Sequence, residues 1–386
     1  MIISVIVPIY MWREELRKIM ELEVEKSDFV EFVFVINGDN NLSKIVRKTI
    51  SSIRKENREF KVIDLSNNMG ASYARNIGLD NCRGDVVLFL DSDVIPREDL
   101  LINHLKHYKN KEDVPGILGD VRFFDISNRK IPRAIHYIGF DRPFGNPSNT
   151  PVEWGPTANI SFRHDFIKNI RFDCNFPKEG GGEDVDFGLR VTKNTKNFIQ
   201  TDSKAVCYHR MWDGLGRSLS RFFRWGFAEG RLMKKHPERI YLAFPNHFEL
   251  PLFIGIYYIF LSILLGYSWI IIFFPINWSL IIVIKVIIGK LKEGTCIFNI
   301  ILKEFFLLTY DVGSFCGRIR EHCWRHLFLK KFAYEVFERR DVDSFNNDMK
   351  IKLPIYFMGH SLCSIVEIIF INNILKHVIF YGTGGG

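Results

Sequence analysis

Gly84-Asp85-Val86-Val87-Leu88-Phe89-Leu90-Asp91-Ser92-Asp93 carries the clearest structural information in this chain. Five apolar residues run without interruption and then give way to two carboxylates separated by one serine. An apolar run of this kind predicts a strand buried on both faces, as in a parallel sheet covered by helices. Such sheets bind ligands at the carboxyl ends of their strands. The two aspartates therefore lie where a ligand site is expected.

The same alternation of apolar runs and amphipathic stretches extends through the first hundred residues. The predicted strands are 2–7, 30–36, 60–65 and 85–90, and the predicted helices are 14–25, 43–56, 71–81, 96–105, 161–170 and 183–193. Residues 113–160 are rich in Gly, Pro and Asn, which indicates loops and short strands. Strands that alternate with helices predict an α/β fold with a Rossmann-like, mostly parallel sheet.

The composition excludes several classes of protein. The chain has 386 residues, of which 47% are hydrophobic and 25% charged, so it is neither disordered nor fibrous. Its net charge of +8 suits an anionic membrane face, a phosphorylated substrate or nucleic acid. The seven cysteines are scattered without a C-x-x-C pair, which favours a reducing compartment.

A mean hydropathy of +0.00 combines two unlike parts. Between Leu250 and Ile288 the only charged residue is Lys285. A membrane helix needs about 20 apolar residues, so this run predicts a hairpin of two spans. Basic residues flank both ends and favour a cytoplasmic location for both. A re-entrant hairpin that does not cross the membrane is the alternative.

These observations divide the chain into four parts. Residues 1–240 form the predicted α/β domain, with interfacial helices near 210–240, and residues 245–290 form the transmembrane or re-entrant hairpin. Residues 291–381 are predicted as interfacial helices, and 353–381 as a third span or a helix lying against the membrane. Residues 382–386, Gly-Thr-Gly-Gly-Gly, have the composition of a sequence tag.

The Asp-Ser-Asp sequence and the residues upstream of it favour binding of a phosphorylated ligand. Asp91 and Asp93 face one side of an extended chain and can bind one divalent ion. Their hard oxygen ligands suit Mg²⁺ or Mn²⁺, which can neutralise a departing diphosphate. Gly70 permits close backbone approach, and Arg75 offers a planar donor for phosphate. A capped turn before the helix 96–105 is the structural alternative for the two aspartates.

Four stretches, taken together and in order, closely resemble family 2 glycosyltransferases of the GT-A fold. They are Ser-Val-Ile-Val-Pro-Ile-Tyr at 4–10, N-x-G-x-x-x-A-R-N-x-G at 68–78, the stretch 84–93, and Gly-Glu-Asp-Val-Asp at 182–186. The resemblance covers roughly residues 1–235. It implies a sugar-nucleotide donor such as a UDP- or GDP-sugar, a divalent metal and inversion at the anomeric carbon.

The resemblance also implies roles for individual residues on the donor side. Pro8 and Tyr10 would line the nucleobase site, and Arg75 would approach the donor phosphates. The remaining predicted donor-binding and metal residues are Asn37, Asp39, Asn68, Gly70, Asp91, Ser92 and Asp93. Two departures leave the base open: Met11 replaces the usual Asn, and Ile36-Asn37 replaces an acidic pair. Asn37 can still hydrogen-bond a pyrimidine edge.

The catalytic base is predicted in the Glu183-Asp184 pair. An acceptor hydroxyl needs a positioned carboxylate to take its proton during attack. Asp184 is the first candidate and Glu183 the second. A helix N-terminus after three glycines is the alternative, and it is compatible with catalysis because helix N-termini favour carboxylates.

Two further groups carry predictions with open alternatives. Arg221, Arg224 and Trp225 resemble the Q-x-x-R-W element of processive membrane synthases, with Arg in place of Gln. They would bind the diphosphate and acceptor, or else anionic lipid headgroups. His209 is either a further metal ligand or a structural histidine.

Together these predictions describe a metal-dependent, inverting glycosyltransferase at the cytoplasmic face of a plasma or inner membrane. Its acceptor would be lipid-linked, and membrane lipids would be partners. The alternatives are a processive polysaccharide synthase and an inactive sugar-nucleotide-binding scaffold. A nucleotidyltransferase would need a Gly-rich loop after the first strand, where Pro8-Ile9-Tyr10 stands. Nucleic-acid binding is disfavoured because the basic residues cluster beside the apolar hairpin.

Overall fold

A mixed eight-stranded sheet forms the centre of the protein. The structure, a computed structural model, describes residues 1–38, 40–109, 111–145, 150–243, 246–276, 279, 283, 287, 290 and 296–334. The strands are β1 Ile2–Ile9, β2 Phe29–Asn37, β3 Arg58–Leu65, β4 Val86–Leu90, β5 Val94–Pro96, β6 Gly116–Phe124, β7 Asn159–Arg163 and β8 Gln200–Arg210. Their order in the sheet is β3-β2-β1-β4-β7-β6-β8-β5. β3, β2, β1 and β4 are parallel, whereas β7 is antiparallel to both β4 and β6.

Helices cover both faces of this sheet and form a further layer at one end. They are α1 Glu15–Met20, α2 Asn40–Ser52, α3 Ala71–Asp80, α4 Leu100–Leu105, α5 Lys130–Ile138, α6 His164–Ile167, α7 Glu183–Thr195, α8 Leu215–Lys235, α9 Glu249–Leu265 and α10 Ile297–Arg320. A short antiparallel pair joins β9 Ile240–Leu242 to β10 Lys330–Phe332. The mixed α/β architecture is consistent with the GT-A fold expected from the sequence.

Burial of the sheet on both faces explains why its strands are apolar at successive positions. Along β1, Val5 and Val7 pack with α1, α2 and α4 on one face, whereas Ile6 packs with α3 and α7 on the other. All three side chains are fully buried. A strand with two buried faces has no solvent side on which polar residues could alternate.

The predicted strands at 2–7, 30–36, 60–65 and 85–90 are confirmed as β1 to β4. The helix predicted over 161–170 is wrong, because Asn159–Arg163 is the buried strand β7 and only His164–Ile167 is helical. The neighbouring strands β4 and β6 pair with this segment and override its helical spacing. Residues 113–160 also contain a nine-residue strand and the helix α5 rather than loops and short strands alone.

The helices α8 and α10 cross with their backbones in direct contact. Gly226 and Gly230 on α8 face Gly313 and Gly317 on α10. A Cβ at Gly226 would lie 1.9 Å from the Tyr310 carbonyl oxygen, and one at Gly317 would lie 2.0 Å from that of Phe227. Glycines four residues apart on both helices give each a flat surface, as in close helix crossings of membrane proteins. This crossing fixes α10 beside the sheet domain.

Buried charges connect the same layer to its neighbours. Glu229 on α8 accepts hydrogen bonds from the Ser314 hydroxyl and, at 2.7 Å, from the Phe332 amide. Arg318 on α10 is fully buried and pairs with Glu249 at 3.1 Å. A buried charge whose partner is removed costs several kcal/mol, about 3–5. These pairs therefore specify how α8, α9, α10 and β10 fit together.

The predicted membrane segments are only partly within the described residues. α9 has 17 residues, ends at Gly266 and is followed by a 3₁₀ helix over Ser268–Ile272. None of the helices in the described ranges has both the length and the apolar character needed to cross a membrane. Most of 277–295 and all of 335–386 lie outside the described residues, and the predicted third segment at 353–381 falls among them.

Candidate active site

A cleft of about 750 Å³ lies at the carboxyl ends of β1, β2 and β4. One side, here called the sheet wall, consists of the turns after these strands and the loop before α3. The opposite side, the helical wall, consists of α8, α10 and Tyr334 after β10. The predicted site residues that line the cleft are Pro8, Tyr10, Asn37, Asn68, Gly70, Arg75, Asp91, Ser92, Asp93, Glu183, Asp184, His209, Arg221, Arg224 and Trp225. Asp39 lies outside the described residues.

Arg75 joins the two groups of acidic residues. Its Nη1 lies 3.2 Å from Glu183 Oε1 and its Nη2 lies 3.1 Å from Asp91 Oδ1. Burial and the like charge of Asp93 raise the pKa of Asp91, and the Arg75 charge opposes them. Both terminal nitrogens of Arg75 thus contact carboxylates, and its buried Nε has no partner among the described residues. Its predicted contact with donor phosphates remains a prediction.

Glu183 and Asp184 are neighbours with different surroundings. Glu183 is buried and accepts a 2.6 Å hydrogen bond from the Gly181 amide in addition to its pair with Arg75. Asp184 is partly exposed in the cleft, and the Val185 amide donates to its Oδ1 at 2.9 Å. Burial, followed by the Glu183 charge, raises the pKa of Asp184 to about 7. Asp184 is therefore the carboxylate that can exchange a proton near neutral pH.

The loop before α7 brings both carboxylates against the helical wall. Gly182, the residue before the helix, has a φ of +83°, which a side chain would strain. A Cβ there would also lie 2.9 Å from the Ala228 Cβ on α8. The glycine thus permits a left-handed turn and close contact with α8 at the same point.

Asp93 and His209 are the residues that best fit a divalent metal. His209 Nε2 lies 3.4 Å from Asp93 Oδ1 across the β5–β8 pair. Burial alone would raise the pKa of Asp93, but the hydrogen bond and charge of His209 lower it. A carboxylate beside an imidazole is a donor set that suits Mn²⁺. Among the described residues no three His, Cys, Asp or Glu side chains converge as a metal cluster.

Two predicted donor-binding asparagines hold the turn before α3. Asn37 Nδ2 donates to Asn68 Oδ1 at 2.9 Å, and Asn37 Oδ1 accepts from the Met69 amide at 2.9 Å. Asn37 is 6% exposed. In this structure it braces the sheet wall, and its contact with a nucleobase remains a prediction. Tyr10, in contrast, is 59% exposed at the cleft and free to stack on a planar ligand.

A pair of arginines lies on the helical wall. Arg221 stacks on Trp212, with its guanidinium carbon 4.5 Å from the ring centroid. It makes no ion pair with another described residue, and burial followed by the Arg224 charge lowers its pKa to about 10. Arg224 donates to the Ser220 hydroxyl at 2.9 Å. Two adjacent cations without carboxylate partners in the described part of the chain form a site for an anion such as a phosphate.

Beside the predicted Trp225, the structure adds four aromatic residues that the sequence did not single out. Trp225 lies 5.7 Å from Phe140, Phe140 lies 5.8 Å from Tyr310, and Tyr334 lies 6.2 Å from Trp154, measured between ring centroids. The hydroxyls of Tyr310 and Tyr334 are 2.9 Å apart. All five line the cleft. The glycine spacing on α8 and α10 is the one sequence signal that would have placed α10 here.

A protein-family model matches most of the sheet domain. Residues 4–170 match the model described as Glycosyl transferase family 2. The uncharacterized glycosyltransferase YfnE of Bacillus subtilis is 33% identical over 114 residues, or 29% of this chain and 28% of that protein. An uncharacterized glycosyltransferase of Haemophilus influenzae is 27% identical over 131 residues, or 34% of this chain and 51% of that protein. The matches thus span about half or less of these relatives.

Solved structures that align with part of this chain include two proteins of distant sequence. The mannosyltransferase PcManGT from Pyrobaculum calidifontis, in complex with GDP-Man and Mn²⁺, aligns with a TM-score of 0.44 at 18% identity over 58% of this chain and 63% of that one. S. aureus TarS 1–349 aligns with a TM-score of 0.41 at 18% identity over 59% of this chain and 64% of that one. The family match rests on sequence alone, and the part of this chain that matches glycosyl transferase family 2 is residues 4–170.

Proposed function

We propose that the chain is an inverting glycosyltransferase that moves a sugar from a nucleotide-sugar donor to a lipid-linked acceptor at the cytoplasmic face of a membrane. One observation carries the enzymatic part. The Asp-Ser-Asp turn, the arginine pair and Asp184 open into a single cleft of a domain that matches glycosyl transferase family 2. The cleft thus combines groups for the donor diphosphate with a base for the acceptor.

The proposed reaction is a single displacement. The acceptor oxygen attacks the anomeric carbon while its proton passes to the Asp184 carboxylate. The bond between that carbon and the donor phosphate oxygen breaks, and its electron pair leaves with the nucleoside diphosphate. Arg221 and Arg224 stabilise the developing negative charge. Arg75 holds Glu183 and Asp91 in place, so that Asp184 remains the carboxylate available to the acceptor.

We propose Asp93 and His209 as metal ligands, with Asp91 nearby. When bound, Mn²⁺ or Mg²⁺ would neutralise charge on the departing diphosphate. The imidazole favours Mn²⁺ over Mg²⁺, which prefers oxygen ligands. The 3.4 Å separation of the Asp93 and His209 donors supports this assignment.

The test of the enzymatic part is a screen for nucleotide release. The purified chain is incubated with UDP- and GDP-sugars, with and without Mn²⁺, and with and without membrane lipid extract. Asp184→Asn should lower turnover about 10²- to 10⁴-fold, the usual contribution of a general base, and leave nucleotide binding within about threefold. Glu179→Gln is the matched control, because Glu179 is an exposed carboxylate on the same cleft.

Three results would contradict this proposal in different ways. Nucleotide binding without turnover of any donor would favour the inactive scaffold. Loss of nucleotide binding in Asp184→Asn would remove Asp184 from the role of base. Ladders of long products would favour the processive synthase over single-sugar transfer.

The membrane part of the proposal rests on exposed apolar side chains. On α9, Phe260, Ile263 and Leu264 are 60%, 76% and 65% exposed, and on α10 Phe305 is 57% exposed. Large apolar patches are rare on water-soluble monomers and mark interaction sites. Beside α10, the ammonium groups of Lys130 and Lys303 lie over the rings of Phe298 and Tyr137. Basic side chains at the edge of an apolar face suit anionic headgroups.

The position of α10 supports a lipid-linked acceptor. Phe305 belongs to the exposed apolar surface, and Tyr310 lines the cleft. Five residues of helix separate them by about 7–8 Å along the axis. Flotation with phosphatidylcholine vesicles, with and without phosphatidylglycerol, tests the membrane part. Binding that increases with phosphatidylglycerol supports the proposal, and a chain that stays unbound in both contradicts it.

A further inference from the structure

The hydroxyl pair of Tyr310 and Tyr334 is the part of the cleft that the proposed reaction does not yet use. Tyr310 projects from α10, and Tyr334 follows β10, so both lie outside the segment that matches the family model. Their hydroxyl oxygens are 2.9 Å apart. Both side chains line the cleft together with Asp184.

This pair retains hydrogen-bonding capacity toward a ligand. Two hydroxyls that share one hydrogen bond use only one of their two hydrogens, whichever is the donor. Neither hydroxyl has a further hydrogen-bond partner among the described residues. Burial and the Glu229 charge raise the pKa of both phenols well above their ordinary value, so both keep their protons. One donated hydrogen bond therefore remains available at the cleft.

The surrounding contacts hold Tyr334 in a fixed position. The Trp154 indole donates to the Tyr334 carbonyl oxygen at 2.5 Å. Just before it, the Phe332 amide donates to the buried Glu229 at 2.7 Å, and the Ala333 amide donates to the Arg239 carbonyl at 2.9 Å. A side chain whose backbone is held at three consecutive residues presents its hydroxyl with little loss of entropy on binding. The pair is thus a built feature of the cleft.

The chemistry of the pair differs from that of the arginine pair. The arginines and the two tyrosines line the same cleft as Asp93 and Asp184. Cations suit the diphosphate, whereas neutral hydroxyls beside aromatic rings suit a polyhydroxylated ring. The arginine pair therefore matches the donor, and the hydroxyl pair matches a sugar-like acceptor.

We propose that Tyr310 and Tyr334 form an acceptor subsite, which binds a hydroxyl of a sugar-like acceptor head group and directs a neighbouring hydroxyl toward Asp184. This inference rests on the proposed function, since it assigns the acceptor side of that reaction. In it the two tyrosines are positioning residues. They bind the acceptor beside the reacting oxygen and exchange no proton with it.

The experiment compares acceptor transfer with donor hydrolysis. Nucleotide release from the donor found in the screen is measured with water alone and with total membrane lipid extract in detergent micelles. Tyr334→Phe and Tyr310→Phe should each lower the extract-stimulated rate about three- to tenfold, because the remaining hydroxyl loses the partner that orients it toward the acceptor. The KM for extract should rise more than kcat falls, and hydrolysis in water and nucleotide binding should stay within about twofold.

Tyr108→Phe is the matched control. Its hydroxyl is also buried and bonded to a hydroxyl, that of Ser161 at 2.9 Å, but it does not line the cleft. This variant should leave the stimulated rate unchanged. Full stimulation in the Tyr310→Phe/Tyr334→Phe double variant would overturn the subsite, as would an equal loss of hydrolysis and stimulation. A wild-type chain that hydrolyses donor but does not respond to extract would contradict the lipid-linked acceptor and the subsite together. A wild-type chain that turns over no donor would contradict the proposed function itself.

Discussion

The sheet wall of the cleft is supported by strands buried on both faces, whereas the helical wall is supported by two helices in backbone contact. Behind the sheet wall, apolar residues such as Ile6 and Val7 pack on opposite sides of one strand. In the helical wall, glycines remove side chains from the contact, and buried polar pairs such as Glu229 with Ser314 fix it. Both walls line the same cleft.

The two walls should respond differently to substitution. Apolar packing across a sheet is spread over many side chains, which can change rotamer, so an enlarged side chain there costs about 1–3 kcal/mol. At the crossing of α8 and α10, an added Cβ would lie about 2 Å from a backbone carbonyl oxygen, which cannot move aside as a flexible side chain can. We expect the helical wall to be sensitive to residue size. We expect the sheet domain to be sensitive instead to the charge state of its few buried polar groups.

Gly317→Ala should give the largest effect. Its Cβ would meet the Phe227 carbonyl oxygen, so the crossing of α8 and α10 must separate. Overpacking of a rigid contact costs about 3 kcal/mol, and urea denaturation should show a loss of this size in the free energy of unfolding. The lipid-stimulated transfer rate should fall as well, because Tyr310 moves with α10.

Gly216→Ala is the control for this prediction. Gly216 lies on the same helix α8, and a Cβ there meets nothing within 4 Å. Replacing an exposed helical glycine by alanine should raise the free energy of unfolding by about 0.5–1 kcal/mol. Equal stabilities of Gly317→Ala and the wild type would mean that the crossing is adjustable, and the contrast between the walls would not hold.

His104 tests the sheet domain through pH. The side chain is fully buried between Ser161, 2.8 Å from Nδ1, and Asn159, 2.9 Å from Nε2. Burial lowers the pKa of His104 to about 4. The unfolded chain therefore binds a proton between pH 6.5 and 4 that the folded chain does not, and stability falls as the pH drops through this range. The loss should be about 2 kcal/mol at pH 5 relative to pH 8.

Denaturation at a series of pH values in the wild type and in His104→Gln checks this prediction. The substitution lowers the baseline stability, so the informative quantity is the slope of the unfolding free energy against pH. That slope should be smaller in His104→Gln between pH 6.5 and 4. Parallel curves for the two proteins would assign the acid sensitivity to other groups.

The sequence predicts the sheet wall well because the residues that form each part of it are neighbours along the chain. Strand β4 is one apolar run, and the aspartates follow it directly, so pattern and motif coincide at Asp91-Ser92-Asp93. β7 is mispredicted because it has only five residues, and so short a run shows too little periodicity to distinguish a strand from a helix. β6 is missed because it is interrupted by a bulge between Gly119 and Asp120.

The helical wall could not be predicted in the same way because its contacts join distant parts of the chain. Tyr310 is 126 residues from Asp184 along the sequence, and its place in the cleft depends on the glycine crossing. The apolar residues of α9 predict part of a membrane hairpin instead, and those of α10 predict an interfacial helix. Glu249, Asp311 and Arg318 are nevertheless buried charges that pair within the protein. These pairs join α10 to α9 and to His247 before it.

Glu183→Gln should have the smallest effect. It tests whether Glu183 and Asp184, which lie where the two walls meet, have different roles. If Asp184 is the base, the rate should rise with pH as Asp184 loses its proton, with an inflection near the pKa of about 7. The Glu183 charge helps to raise that pKa, so its removal should lower the pKa of Asp184 and move the inflection toward acid.

The side-chain carbonyl that Glu183→Gln introduces can still accept from the Gly181 amide, which keeps the loop in place. Turnover at pH 8 should therefore stay within about threefold of the wild type, because Asp184 is ionised in both proteins at that pH. The measurement is kcat for donor turnover between pH 5 and 9 at fixed Mn²⁺. A collapse of turnover at every pH would instead make Glu183 the base. An unchanged inflection would mean that the two carboxylates do not interact, and that the separation of their roles comes from burial alone.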